Sequence, residues 1–282
     1  MKGEYDIETR QRPLPLRWCI LPSHSFHSEA NLTHAPAPCQ RSLHCCVIFD
    51  SLFYIFGGYD GSRRVNDFYS YDIKLPPNKT GWKHVKHSGG TPPSPRDRHI
   101  GVTSNGVFYV FGGFDGTSRV NDLHAFDFRS STWVQLLGSN RHDESRPVAP
   151  PPSPRHSHSA VVYKNNIYIF SGYDGSYKND LHCYDTAGDH WEKIVGTGRI
   201  PKARYRSACI AARDSMYVFG GHDGNRHLND VHTFDFSMRV WSSLSCEGVP
   251  PSARDSHVAV FHGNSSKWRF AACFRKEIRG SM

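Results

Sequence analysis

At 282 residues, with a formal net charge of +8 and a mean hydropathy of −0.56, the chain is long enough for one large or two small domains with a substantial core. No stretch approaches the roughly 18 apolar residues that a membrane helix needs, and the charged start "MKGEYDIETRQRP" has no apolar run behind it to suggest a secretory signal. Twenty-four glycines, 18 prolines and 13% aromatics favour a turn-rich β protein over a helical bundle.

In chain order, residues 1–37 form an extension, residues 38–262 a repeating region, and residues 263–282 a basic tail. The repeating units start near residues 38, 93, 152, 201 and 251. Each opens with Pro-x-x-Arg, at Arg41, Arg96, Arg155, Arg204 and Arg254. In the first four, 17 positions separate that arginine from the second residue of a glycine pair. The pairs are Gly57-Gly58, Gly112-Gly113, Ser171-Gly172 and Gly220-Gly221. Asn-Asp follows, ending at Asp67, Asp122, Asp180 and Asp230, and a lone tryptophan closes each unit: Trp82, Trp133, Trp191 and Trp241. Fixed spacing inside a unit and elastic spacing between units is what strands joined by surface loops give.

The first strand of each unit ("HCCVIF", "HIGVTS", "HSAVVY", "SACIAA") consists of small or β-branched residues suited to burial on both faces. The second ("LFYIF", "VFYVF", "NIYIF", "SMYVF") is aromatic and β-branched. The third ("DFYSYD", "DLHAFD", "DLHCYD", "DVHTFD") alternates apolar with polar and reads as half exposed. The fourth, from the tryptophan, reads as an outer edge. Asp-Gly after the glycine pair predicts a tight turn. A four-stranded unit of this kind buries too little alone, so neighbours must stack.

These motifs together resemble kelch repeats, of the leucine-zipper-like transcription regulator and kelch domain-containing type. The resemblance implies an all-β kelch β-propeller with four complete four-stranded blades plus a partial blade from the two ends, a shortened form of an array of about six blades. At the N-terminal end "RWCIL" mirrors "TWVQL", so residues 18–21 are expected as an outer strand; at the C-terminal end Phe270-Ala271 stands where a fifth glycine pair belongs.

Recurring residues argue for architecture. The Pro-x-x-Arg arginines and the four aspartates should tie loop to strand by charge-assisted hydrogen bonds, and the four tryptophans should pack between blades. His99, His158 and His257, three after their arginines, and His124, His182 and His232 recur as structural slots, with no spacing that enforces a metal site. Neither metal nor cofactor is expected. Binding is expected where units differ, in two loop sets that kelch propellers place on one face. One set follows Asp-Gly: Arg63, Arg64, Ser118, Arg119, Tyr177, Lys178, Arg226 and His227. The other enters each first strand: Arg98, His156, Ser157, Tyr205 and Arg206. These types suit interaction hot spots and carboxylate or phosphate recognition. The Pro-rich insert from Gly138 to Arg155 is a surface excursion in which Ser153-Pro154 offers a docking or phosphorylation site.

The expected function is therefore a non-catalytic protein-interaction scaffold or substrate-recognition module. Family resemblance extends this to a ubiquitin-ligase adaptor portion, or to actin- and Rab-associated binding. The alternative is a metal-dependent enzyme like galactose oxidase or the nitrile specifiers, for which no ligand cluster is visible. Expected partners are other proteins with acidic or phosphorylated segments, and no membrane. A nucleic-acid partner would want a clustered basic face, whereas five of the basic residues lie in the short tail. The eight scattered cysteines, mostly within apolar runs, fit a cytoplasmic location, or alternatively a nuclear one.

Overall fold

A computed structural model describes residues 36–76, 79–138, 149–245 and 250–260. The extension with its Trp18–Leu21 segment, and the tail with Phe270-Ala271, lie outside those residues. The described residues form 17 strands and no helix. Four antiparallel meanders correspond to the four complete units. The first blade is β1 (Cys45–Phe49), β2 (Leu52–Tyr59), β3 (Arg64–Asp72) and β4 (Trp82–His84). The second is β5 (Ile100–Ser104), β6 (Val107–Phe114), β7 (Arg119–Asp127) and β8 (Thr132–Leu136). The third is β9 (Ser159–Tyr163), β10 (Asn166–Phe170), β11 (Leu181–Asp185) and β12 (His190–Ile194). In the fourth, β14 (Ala208–Ala212), β15 (Ser215–His222), β16 (His227–Asp235) and β17 (Val240–Leu244) are joined by β13 (Thr197–Gly198), which runs parallel to β17.

The core lies between the blades. Phe56 and Phe68 of the first blade meet Phe108, Phe126 and Trp133 of the second. Phe111 and Leu123 meet Ile167, Tyr184 and Trp191, and Phe170 and Leu181 meet Met216, Phe234 and Trp241. A sheet with neighbours on both sides buries both faces, and this corrects the expectation for the third strand. Leu123–Phe126 and Leu181–Tyr184 are buried throughout, including the polar His124 and His182. The first strand departs in the other direction. Cys46 is exposed and Ile48 is 60% exposed, because that face of β1 has no described blade against it; β5 and β14 are only partly buried along their middles, and β9 buries Val161 between two partly buried neighbours. Trp133, Trp191 and Trp241 each lean on the preceding blade, their ring centroids 5.5, 5.2 and 5.0 Å from Phe56, Phe111 and Phe170. Trp82 instead rests on Phe53, Tyr69 and Tyr71 of its own blade.

The glycine pair has two distinct causes. Its first member bulges the ladder between β2 and β3 and sits at φ near +65°, with the next blade's backbone close by: a Cβ on Gly57 would lie 3.1 Å from the Arg96 carbonyl oxygen. Its second member has φ between 98° and 106°, where side chains are strongly disfavoured. Serine stands at the first position as Ser171, φ 65°, and not at the second.

Candidate functional site

Each blade is pinned by one buried arginine. Arg96 and Arg204 are fully buried and Arg155 is 1% exposed. Arg155 grips Asp180 with both terminal nitrogens, at 2.7 and 2.8 Å, and its Nη1 also donates to the Ser171 carbonyl at 3.0 Å. Arg96 with Asp122, Arg204 with Asp230 and Arg41 with Asp67 repeat the pair. Nε2 of His124, His182 and His232 sits 2.8 to 3.0 Å from the same carboxylates. Burial would raise Asp122, Asp180 and Asp230, but hydrogen bonds from the arginine and the histidine hold all three well below the usual carboxylate range. The asparagine beside the aspartate ties blades together: Asn66, Asn121 and Asn179 donate to the carbonyls of Pro93, Pro152 and Pro201 in the following unit.

These ties fix the loops that enter each first strand. At their tips Leu43, Arg98, Ser157, Arg206 and Ser256 all adopt φ between 52° and 59°. Their backbones hand one hydrogen bond to the next around an arc. Arg98 N donates to Leu43 O, Ser157 N to Arg98 O, Arg206 N to Ser157 O and Ser256 N to Arg206 O, at 2.8 to 3.1 Å. Five successive units thus surround one cavity of about 330 Å³, lined by Ser42, Arg98, Ser157, Arg206 and Ser256 with the histidines beneath. His99 and His158 are buried, and no ring nitrogen of either finds a hydrogen-bond partner; His99 packs edge-on against Phe56 and His158 against Phe111. Burial first, then the neighbouring Arg96, pushes His99 down to about 3; burial and Arg155 push His158 well below the ordinary histidine value.

The mouth is electropositive and chemically lopsided. His156 is pushed down to about 4 by burial and then by Arg98, Arg119 and Arg206. On the third and fourth blades the rings of Tyr173, Tyr177 and Tyr205 adjoin, Tyr177 lying 5.2 Å from each of the other two, with His222 5.9 Å from Tyr205. Arg119 stacks over Tyr173 and Arg206 over Tyr205. A second recess of about 390 Å³ lies alongside, lined by Phe114, Ser118, Arg119, Ser153 and Asp174.

The loop residues singled out from sequence separate into two groups. Arg98, Ser157 and Arg206 line the cavity, Ser118 and Arg119 the recess, and Tyr177, Tyr205 and His156 the aromatic side. Arg64 is engaged internally: its Nε lies 3.2 Å from Asp97 and its guanidinium covers Phe114, binding the first blade to the second. Lys178 pairs with Asp174, Arg63 stays exposed beside Asp60, His227 lies 3.6 Å from Asp255, and the Arg226 amide closes its own loop onto Asp223. Sequence reasoning missed Tyr173 and His222, which follow the second glycine and carry no local signal of facing the mouth. Among the described residues no group of three or more His, Cys, Asp and Glu is placed to hold a metal ion.

Comparison with known proteins places this geometry. Residues 18–148 and 137–268 match the family model "KLHDC2/KLHL20/DRC7 Kelch-repeats domain". Human leucine-zipper-like transcriptional regulator 1 is 32% identical over 173 residues, covering 58% of this chain and 20% of that protein. Mouse kelch domain-containing protein 1 is 29% identical over 80% of this chain and 48% of its own length, and rat kelch domain-containing protein 3 is 27% identical over 85% and 62%. The chain therefore spans between a fifth and about three fifths of these relatives. Because that family model matches residues 18–148 and 137–268, most of the chain, the chain belongs to the kelch-repeat family.

Proposed function

We propose that this protein is a non-catalytic recognition module that binds an acidic or phosphorylated segment of another protein at the mouth of the blades. One observation carries the reading. Arg206 is an under-satisfied cation: its Nε is buried with no hydrogen-bond partner and its Nη1 reaches Asp255 only at 3.4 Å. Its side chain is 33% exposed, so an incoming carboxylate or phosphate can reach the guanidinium and pair with it in bidentate fashion. Arg98 across the cavity and Arg119 beside it add to the positive field, and the tyrosines offer rigid aromatic area of the kind that anchors interfaces. A ligase-adaptor role is a finer proposal resting on family likeness alone, and a cytoplasmic or nuclear setting is one resting on cysteine usage.

The test is binding of fluorescent peptides by anisotropy. An acidic peptide should bind more tightly than its amide counterpart, and less tightly as salt rises. Arg206→Glu should weaken binding at least about tenfold and Arg98→Glu similarly. Unchanged affinity in both variants, with folding intact, would place recognition elsewhere.

A further inference from the structure

Ser94 and Ser153 hold equivalent places, each opening a Ser-Pro-Arg step at the entry to a blade. In both, the arginine two residues on turns back to the serine: Arg96 Nη2 donates to Ser94 Oγ at 3.0 Å, and Arg155 Nη2 to Ser153 Oγ at 3.0 Å. There the likeness stops. Ser153 Oγ donates to Asp174 Oδ2 at 2.7 Å and lines the recess, so its hydroxyl is occupied and faces a carboxylate. Ser94 and Pro95 are exposed, and among the described residues the Ser94 hydroxyl meets no carboxylate.

We propose that Ser94 is a phosphorylation site for a proline-directed kinase, with its phosphate held by Arg96, and that Ser153 is refused in the folded chain. In the transfer the Ser94 oxygen bonds to the γ-phosphorus of ATP, the bond from that phosphorus to ADP breaks, and the hydroxyl proton passes to the kinase's base. The product dianion finds a guanidinium in place, and the Nη2 proton now donated to Ser94 Oγ turns to a phosphate oxygen as a charge-assisted hydrogen bond. Arg96 then shares Nη2 between the phosphate and Asp122, which it already holds at 2.7 Å. At Ser153 the same dianion would stand against Asp174 and displace a formed hydrogen bond. Thr91-Pro92, with Thr91 exposed and Pro92 partly buried, presents the same minimal motif but no guanidinium contact among the described residues, and serves as the internal control.

The experiment incubates the full chain with a mitogen-activated protein kinase and ATP and follows each site by mass spectrometry. Peptides spanning residues 88–99 and 150–161 run in parallel. Both peptides should be labelled at their Ser-Pro serines. The folded chain should be labelled at Ser94 about tenfold faster than at Ser153, S94A should lose that label and S153A should keep it. By phosphorus NMR the second phosphate ionisation in the chain should fall below that of the phosphopeptide, which lies near about 6. Equal labelling of both serines in the folded chain, label confined to Thr91, a folded chain or peptides left unlabelled, or an unshifted phosphate would each overturn the proposal.

Discussion

The buried guanidinium of Arg155 serves folding, whereas the partly exposed one of Arg206 is the group to which the proposed function assigns ligand binding, and the difference lies in what each touches. Arg155 spends its donors on Asp180, on the Ser171 carbonyl and on Ser153, all within the protein. Replacing Asp180 by asparagine keeps the shape and leaves that cation without its counter-charge. Breaking one side of a buried pair costs about 3–5 kcal/mol, and Asp180 is partly open to water at 22%, so a loss near ~3 kcal/mol in urea unfolding is expected. Arg206→Glu, which gives up only the long contact to Asp255 and the stacking on Tyr205, should shift the same unfolding free energy by no more than about 1 kcal/mol while weakening peptide binding at least about tenfold. Equal destabilisation by the two substitutions would show that the mouth arginine is also framework. The repeated arginines, which recur because the blade needs them, were legible from spacing alone. Arg64 was not: it reads as a variable loop residue, yet Asp97 of the next unit claims it, a tie that no local pattern records.

At the level of the element, blade-to-blade packing explains an exception that the sequence shows without explaining. In three junctions a glycine faces the imidazole of the next blade. A Cβ built on Gly57, Gly112 or Gly220 would approach Cε1 of His99, His158 or His257 to 2.8, 2.9 and 2.9 Å. In the remaining junction Ser171 replaces the glycine and Ser207 replaces the histidine, their hydroxyls 3.5 Å apart in a small polar cluster with Ser159. The two changes compensate in volume. Ser207→His alone should overpack Ser171 and cost about 1–3 kcal/mol, and adding Ser171→Gly should recover most of that loss, a coupling of ~1 kcal/mol or more in a double-mutant cycle. Additive effects would show that the two positions do not sense each other. The strand order and the turn residues were readable because periodicity and Asp-Gly are local signals. The complete burial of "LHAF" and "LHCY" was not, since alternation looks the same whether one face of a sheet meets water or both meet neighbours. Nor was the left-handed backbone of Arg98, Ser157 and Arg206, residue types without a left-handed preference that are held there by the hydrogen-bonded arc.

For the molecule as a whole, the arc of loop tips sits above a wall of neutral imidazoles, and that wall dictates how the fold meets acid. His99 is held to about 3, His158 well below its ordinary value, and His44 and His257 are lowered too, with burial the first cause in each and a nearby arginine adding to it. A folded-state value below the unfolded one, about 6.5, means that the unfolded chain binds more protons at any pH between the two. Their contribution is therefore whole above about pH 6.5 and drains away as pH falls toward the folded values. Each such histidine contributes a slope of about 1.4 kcal/mol per pH unit once the unfolded form is protonated. His99 and His158 alone then remove ~2–3 kcal/mol per unit, against a stability of roughly 5–15 kcal/mol. Asp122, Asp180 and Asp230, also lowered, hold their contribution down to about pH 4 and fail only below it, so the histidines act first. Urea unfolding measured at intervals from pH 7 to 5 should show a free energy of unfolding that changes little down to about pH 6.5 and falls steadily below it, and His158→Gln should reduce the slope by about one proton even if it lowers the plateau. A free energy that stays flat to pH 5 would mean that these rings take up protons while still packed, and that the wall beneath the mouth is wet.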